Sequence, residues 1–360
     1  MKLTQMTQPI IKRGVINYDH LPSSEDDVDD DDHHQERTMP LIAPSLFWVH
    51  LSALSAQSLF GGGAIVGELG LSATNPVWFA ALREGASGPI LCAIAYWKDG
   101  ATPSLSDWTL FVGPGLHLFV NQFCYIIGLK VSSGITASAW MPSQGILAVL
   151  YGLCLGIEEV DCYKISGILI GSTSALLMIL FEERSDADSE AADSLSILGG
   201  SAMFFLSCSA TVFYLISSKR ALEKYPPSTV TGYSYLVTTA LMAVAAVIVA
   251  RSPSLLDAVC PDCNGDPWRI PRDSLYALSY WICAQSVAAY LLMSWTNRWA
   301  DASLNLAYSA VQPLVSVLCA EIFILARFVP RTHRSSLYLW GELVRSGGDR
   351  NIDWTVSSHL

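Results

Sequence analysis

Residues 128–150, GLKVSSGITASAWMPSQGILAVL, and residues 296–318, TNRWADASLNLAYSAVQPLVSVL, align without a gap at an offset of 168. Lys130 falls on Arg298, Ala139 on Ala307, Trp140 on Tyr308, Gln144 on Gln312, Val149 on Val317 and Leu150 on Leu318. In each copy a basic residue closes one apolar stretch and small residues lead into the next. That next stretch carries an aromatic, a proline and a glutamine within about one helical turn. The prolines, Pro142 and Pro313, are out of register, so the repeat is one of motif.

Outward from these segments the chain is a series of apolar stretches, at 45–66, 76–97, 108–129, 133–156, 164–181, 199–219, 231–250, 274–296 and 303–325. Each approaches the roughly 20 residues a helix needs to cross a bilayer. Only 15% of the 360 residues are charged, against about 25% in a soluble domain. Lipid cannot satisfy backbone polar groups, so every span is expected to be helical. The short breaks 73–75, 99–107 and 158–161 imply antiparallel neighbours. Gly63/Gly67, Gly152/Gly156 and Gly167/Gly171 are small-residue pairs that permit close helix contact. The expected fold is an all-α polytopic membrane protein. An offset of 168 relates the fourth span to the ninth, so the repeating unit has five spans. An odd unit inverts on repetition, an arrangement typical of secondary transporters with a solute site between the halves.

The net charge of −11 is local. Residues 1–37 carry nine acids against four bases, and residues 182–193 carry six against one. The remainder is nearly neutral and offers no basic face for nucleic acid. Five segments are therefore expected: a disordered acidic cytosolic tail (1–44), a first repeat (45–181), an acidic linker (182–198), a second repeat (199–325) and a polar tail (326–360). With the amino terminus in the cytosol, inside loops hold ten Lys or Arg and outside loops five, the expected sign. Arg327, Arg331, Arg334, Arg345 and Arg350 in the tail run against that rule. Of nine cysteines, Cys260 and Cys263 form the one C-x-x-C. No second pair completes a four-ligand zinc site, which leaves a local disulfide or a plain polar loop.

Further landmarks are Asn75–Pro76, Phe79 and Arg83–Glu84 in the second span, and Gly128–Leu129 with Thr136–Gln144 around the fourth. The second half has Lys224–Tyr225–Pro226, Tyr233–Ser234–Tyr235, and Trp295–Arg298 with Ser303, Tyr308, Gln312 and Pro313. In their order and spacing over residues 45–325 these stretches resemble the drug/metabolite transporter superfamily. Within it they resemble the EamA-type proteins of the plant walls-are-thin-related group. The resemblance implies ten helices in two inverted five-helix repeats, both termini in the cytosol, no cofactor, and export of small organic metabolites such as auxin-like compounds, amino acids or drugs. The sequence departs from it at the end. Shifting the fifth span by 168 reaches 332–349, which holds Arg334, Glu342, Arg345 and Asp349, so the tenth helix is expected to be missing or degraded.

Polar side chains at membrane depth are expensive and mark functional candidates. Gln144 and Gln312, at symmetric positions, are expected to hydrogen-bond solute or to join helices. Trp140 and Tyr308, one turn earlier, and Asn121 and Gln122 in the third span, are candidates for the cavity wall. Arg83 and Glu84 project about 100° apart on a helix and are expected to pair structurally with neighbours rather than to contact substrate. Glu68, His117 and Glu321 lie toward span edges. The expected function is secondary transport by alternating access, in the plasma membrane or an endomembrane. Its partners are a small organic solute, H+ as a candidate coupling ion and membrane lipid, with a homodimer open and nucleic acid excluded. Metal and enzyme motifs such as H-E-x-x-H, G-x-S-x-G and the Walker A loop do not occur. The competing readings are a nucleotide-sugar or phosphate exchanger, disfavoured because 303–325 has no Lys or Arg, and a non-transporting membrane partner inactivated by loss of the last helix.

Overall fold

The computed structural model describes residues 44–71, 74–100, 102–157, Ser166, Thr173, 191–263 and 265–325. The acidic tail, nearly all of the fifth expected span and the tail 326–360 lie outside the described residues, so the expectation about a tenth helix does too.

The first half begins with α1 (Leu46–Gly70) and α2 (Pro76–Asp99). Asn75 caps α2, its side-chain oxygen accepting from the backbone N–H of Val77 (3.1 Å) and Trp78 (3.4 Å). Pro76 fits the first turn because it needs no N–H donor there, and Gly100 closes the helix at φ 63°. A 3-10 turn leads into α3 (Thr109–Val131). The fourth span is broken at Met141–Pro142 into α4 (Gly134–Trp140) and α5 (Ser143–Cys154).

The second half opens with α6 (Ala191–Lys224), which starts inside the segment expected to be a linker, followed by α7 (Pro227–Arg251) and the short α8 (Pro253–Val259). The eighth span is one continuous helix with a change of pitch: α9 (Arg272–Tyr280), a π-helical segment (Trp281–Ala289) and α10 (Tyr290–Trp299). The ninth is α11 (Ala302–Ala307), a 3-10 turn and α12 (Val311–Leu325).

Six described segments are long and apolar enough to cross a membrane: 46–70, 105–131, 198–224, 227–251, 274–299 and 302–323. Of the other expected spans, the second carries Arg83 and Glu84, and the fourth is interrupted at Pro142.

Helix contacts respect the repeat. Span three packs on span six, as span eight packs on span one; span one packs on span nine, as span six packs on span four. Spans two and seven face each other, as do four and nine. Exchanging the halves leaves this set of pairs unchanged, as a two-fold relation requires.

Glycines sit where these pairs touch. A Cβ on Gly61 would meet the backbone of Gln312, on Gly63 the Gln285 amide, and on Gly67 the Trp281 indole. Gly63 and Gly67 thus act as the expected contact pair. The Gly152/Gly156 expectation is corrected: a Cβ on Gly156 would meet nothing within 4 Å, and the residue ends α5 at φ +66°. Gly167 and Gly171 lie outside the described residues.

The span ends agree on two sides. On one, Lys130 Nζ donates to the Leu71 carbonyl (2.8 Å) and to Asp262 Oδ2 (2.9 Å), beside a Cys260–Cys263 disulfide. On the other, Lys219 caps the carbonyls of Asn297 and Ala300. Ser228 there donates to Asp99, and Tyr225 to Asp107 Oδ2 (2.5 Å). That last bond, to an acceptor carboxylate, holds the Tyr225 phenol above its ordinary range.

Candidate functional site

The two halves enclose a cavity with about 510 Å³ free of protein atoms, partly open to solvent. Its wall draws Gln57 and Phe60 from α1, Arg83 from α2, and Asn121, Gln122 and Tyr125 from α3. Met141 and Gln144 come from the break between α4 and α5, and Thr211 from α6. Gln285 on the π segment, Tyr290 and Met293 on α10 and Gln312 on α12 complete it. The offset of 168 that relates Gln144 to Gln312 also relates Gln122 to Tyr290 and Tyr125 to Met293. Three pairs of symmetric positions therefore face one space.

Buried amides are costly in an apolar interior unless bonded, so their partners show which are committed. Asn121 is committed: its Nδ2 donates to the Ser207 carbonyl (3.1 Å) and to the Ser207 and Thr211 hydroxyls, and its Oδ1 accepts from Tyr290 (3.2 Å). It ties α3 to α6 and α10. Gln312 Nε2 donates to Gln57 Oε1 at 2.6 Å, joining α12 to α1, and Gln144 Nε2 contacts Met141 Sδ at 3.2 Å. Gln122 Nε2 donates to the Tyr235 hydroxyl at 3.2 Å.

Four buried polar atoms on lining residues have no hydrogen-bond partner: Gln57 Nε2, Arg83 Nε, Gln122 Oε1 and Gln285 Oε1. Two are donors and two are acceptors. Arg83, 4% exposed, is the only charged residue among the described lining. Its Nη2 meets Oε1 of the fully buried Glu84 at 2.5 Å, and its guanidinium lies 4.8 Å from the Trp281 ring centroid. Arg83 and Glu84 thus pair with each other, while the guanidinium also rests on Trp281 of the eighth span. Two adjacent side chains diverge at their Cβ atoms, but the long arginine stem folds back over Trp281 and brings its far end to the glutamate.

Trp140 and Tyr308 are outside the lining. Trp140 packs half-buried between α4, α5 and α6, its carbonyl accepting from Ser143 Oγ (2.6 Å). Tyr308 lies on the 3-10 turn with its hydroxyl 2.7 Å from His50 Nδ1. The break at Met141–Pro142 and the turn before Val311 rotate these aromatics away from the glutamines that follow. Glu68 accepts from the Gly134 N–H (2.9 Å), and His117 bonds Ser217 (3.1 Å); both join helices.

Gln57, Thr211, Gln285 and Tyr290 are polar wall residues outside the sequence candidates, and for the two glutamines a signal exists. Each is a mid-span amide in the same triplet, Ala56-Gln57-Ser58 and Ala284-Gln285-Ser286. Phe60, Tyr125, Met141 and Met293 carry no such mark, because apolar side chains line a cavity or fill a core with the same pattern. The π segment is a known device at functional positions, and its wider turn leaves no trace in the residue types.

A solved protein crystal structure resembles this chain with a TM-score of 0.58 over 83% of this chain and 94% of its own, at 19% identity. At that identity the likeness shows the fold alone. Residues 46–180 and again 198–332 match the EamA-like transporter family. The two matches fall on the two halves whose pairing is described above, and together span well over half of the chain. Accordingly this is an integral membrane protein of two repeats, and it belongs to the EamA-like transporter family of drug/metabolite transporters.

Proposed function

We propose that the protein is a secondary transporter that exports a small organic metabolite, with the central cavity as its solute site and the two repeats rocking about it in alternating access. The observation that carries this is the set of four unpartnered polar atoms, two donors and two acceptors, from Gln57, Arg83, Gln122 and Gln285. Each costs about 1–3 kcal/mol if left unpaired in a dry interior, a burden a polar solute relieves. Phe60, Tyr125, Tyr290 and the two methionines supply an apolar wall for the rest of the molecule. Gln144 and Gln312 share the wall as symmetric counterparts. Asn121 supports it by fixing Tyr290, and Trp140 and Tyr308 drop out as solute contacts. The plant walls-are-thin-related kinship belongs to the same proposal.

The orientation goes with this reading. A cytosolic amino terminus puts the Cys260–Cys263 loop on the far side, in a compartment where a disulfide persists. Phe47, Trp48, Tyr96 and the 90% exposed Trp97 cluster at the cytosolic ends of α1 and α2, as an interfacial aromatic belt facing lipid would. A phosphate exchanger is disfavoured, since the described lining offers one cation, Arg83, against the two negative charges of a phosphate group.

The test is flux of a labelled metabolite panel in vesicles carrying the full-length protein. A Gln122→Leu/Gln285→Leu variant removes both free acceptors and is expected to lose at least tenfold of the flux, with Tyr235→Phe as the control for the lost Gln122–Tyr235 bond. Absence of flux for every member of a broad panel would instead favour a non-transporting membrane partner.

A further inference from the structure

We propose that Arg83 and Glu84 form a charge-exchange switch: a solute carboxylate takes the Arg83 guanidinium, and Glu84, so released, takes up one proton. The inference rests on the cavity being the solute site. Its geometry is direct. Arg83 faces the cavity with Nε unpartnered, while its Nη2 holds Glu84 Oε1; Glu84 Oε2 has no partner. A carboxylate entering the cavity meets the free edge of the same guanidinium that neutralises Glu84.

Charge balance sets the outcome. The empty pair sums to zero. A bound carboxylate makes the sum −1 in a buried site, where an uncompensated charge is costly. An O–H bond formed on Glu84 with a proton from solvent restores zero. A cationic solute has no such remedy: it would take Glu84 and strand Arg83, which does not deprotonate in proteins. The site therefore admits neutral solutes freely and anions with a proton, and it rejects cations.

The fold does not require this ion pair. Aligning spans two and seven on their opening prolines, Pro76 and Pro227, sets Arg83 and Glu84 opposite Ser234 and Tyr235. The second half thus closes the same position with neutral hydroxyl groups. Buried ion pairs are in any case weak contributors to stability.

The surroundings leave Glu84 as the group that titrates. The other ionisable groups that feel the pair are the phenols of Tyr125 on α3, Tyr235 on α7 and Tyr290 on α10. The remaining charged or basic side chains of the packed elements point elsewhere. His117 bonds Ser217, Lys130 bonds Leu71 and Asp262, Arg251 is exposed at the end of α7, and Arg298 lies at the end of α10. The π segment has no acid or base besides Cys283, which is exposed.

Calorimetry on the purified full-length protein tests the switch with three ligands that share one ring and differ in charge: benzoate, benzamide and benzylamine. Titration at pH 7 in two buffers of different ionisation heat gives the protons taken up per molecule bound. The expected result is about one proton with benzoate, none with benzamide, and benzylamine at least tenfold weaker than benzamide. Glu84→Gln abolishes the uptake with benzoate. Arg83→Gln/Glu84→Gln, neutral throughout and so less demanding to fold, abolishes it too and weakens benzoate at least tenfold more than it weakens benzamide. Benzoate binding without proton uptake, or uptake that survives in either variant, overturns the switch. Benzoate that fails to bind overturns it as well: benzamide binding then leaves the cavity as a solute site, whereas its failure removes that reading also.

Discussion

Gly67→Ala isolates the contact that holds Arg83 in place. A Cβ at position 67 would stand 2.8 Å from Trp281 Cε2, closer still to Cζ2, and 2.9 Å from Leu129 Cδ2. The indole cannot easily retreat. It donates from Nε1 to the Gly63 carbonyl at 2.9 Å, carries the Arg83 guanidinium on one face, and meets Phe79 edge-on at 5.5 Å. Forcing one methyl into such a site typically costs ~1–3 kcal/mol. Replacing glycine by alanine inside a helix also returns about 1 kcal/mol, which would blur the result. Gly85→Ala supplies the correction, since a Cβ on Gly85 in α2 has nothing within 4 Å. The propensity gain cancels between the two variants, so Gly67→Ala should be less stable than Gly85→Ala by ~1–3 kcal/mol. Heating in detergent with a thiol-reactive dye reads unfolding through the buried Cys124 and Cys208. Trp281→Phe added to Gly67→Ala should recover part of the loss, with a coupling of ~0.5–3 kcal/mol. Gly67→Ala as stable as Gly85→Ala would refute the rigid contact.

Asn121→Leu removes the bonds that join α3 to Ser207, Thr211 and Tyr290; at ~0.6–1.7 kcal/mol for each interhelical bond in a membrane protein, thermal stability should fall measurably while Asn121→Asp at low pH retains most of it. The Cys260–Cys263 pair, opened by an impermeant reductant, should label with an impermeant maleimide only from the non-cytosolic face of sealed vesicles; labelling from the cytosolic face would reverse the proposed orientation. Tyr308→Phe breaks the contact with His50, and because Tyr308 is outside the cavity it should leave solute affinity within about twofold; a larger loss in binding would return Tyr308 to the wall.

The sequence carried the architecture because membrane depth leaves few options. Apolar length marks spans, and the Lys130/Arg298 and Gln144/Gln312 matches expose the repeat. Polarity at depth marked the cavity wall as well: Arg83, Asn121, Gln122, Gln144 and Gln312 all face one cavity, and Gln57 and Gln285 obey the same rule. What polarity could not supply was direction. Trp140 and Tyr308 share a repeat position with no sign of which way a broken helix turns. Arg83 and Glu84 point apart in an ideal helix, and only the indole of Trp281, placed by a π turn, folds one onto the other.

The pairing of span three with six, two with seven and one with nine also governs how the protein comes into being. When the first half leaves the ribosome, the partners of its polar groups are not yet made. Asn121 has no Ser207, Thr211 or Tyr290, Gln122 no Tyr235, and the glycine face of α1 no Trp281. The nascent half must wait in the bilayer with those amides poorly matched, held by its own contacts or by the insertion machinery. Each half therefore completes the other's polar interior.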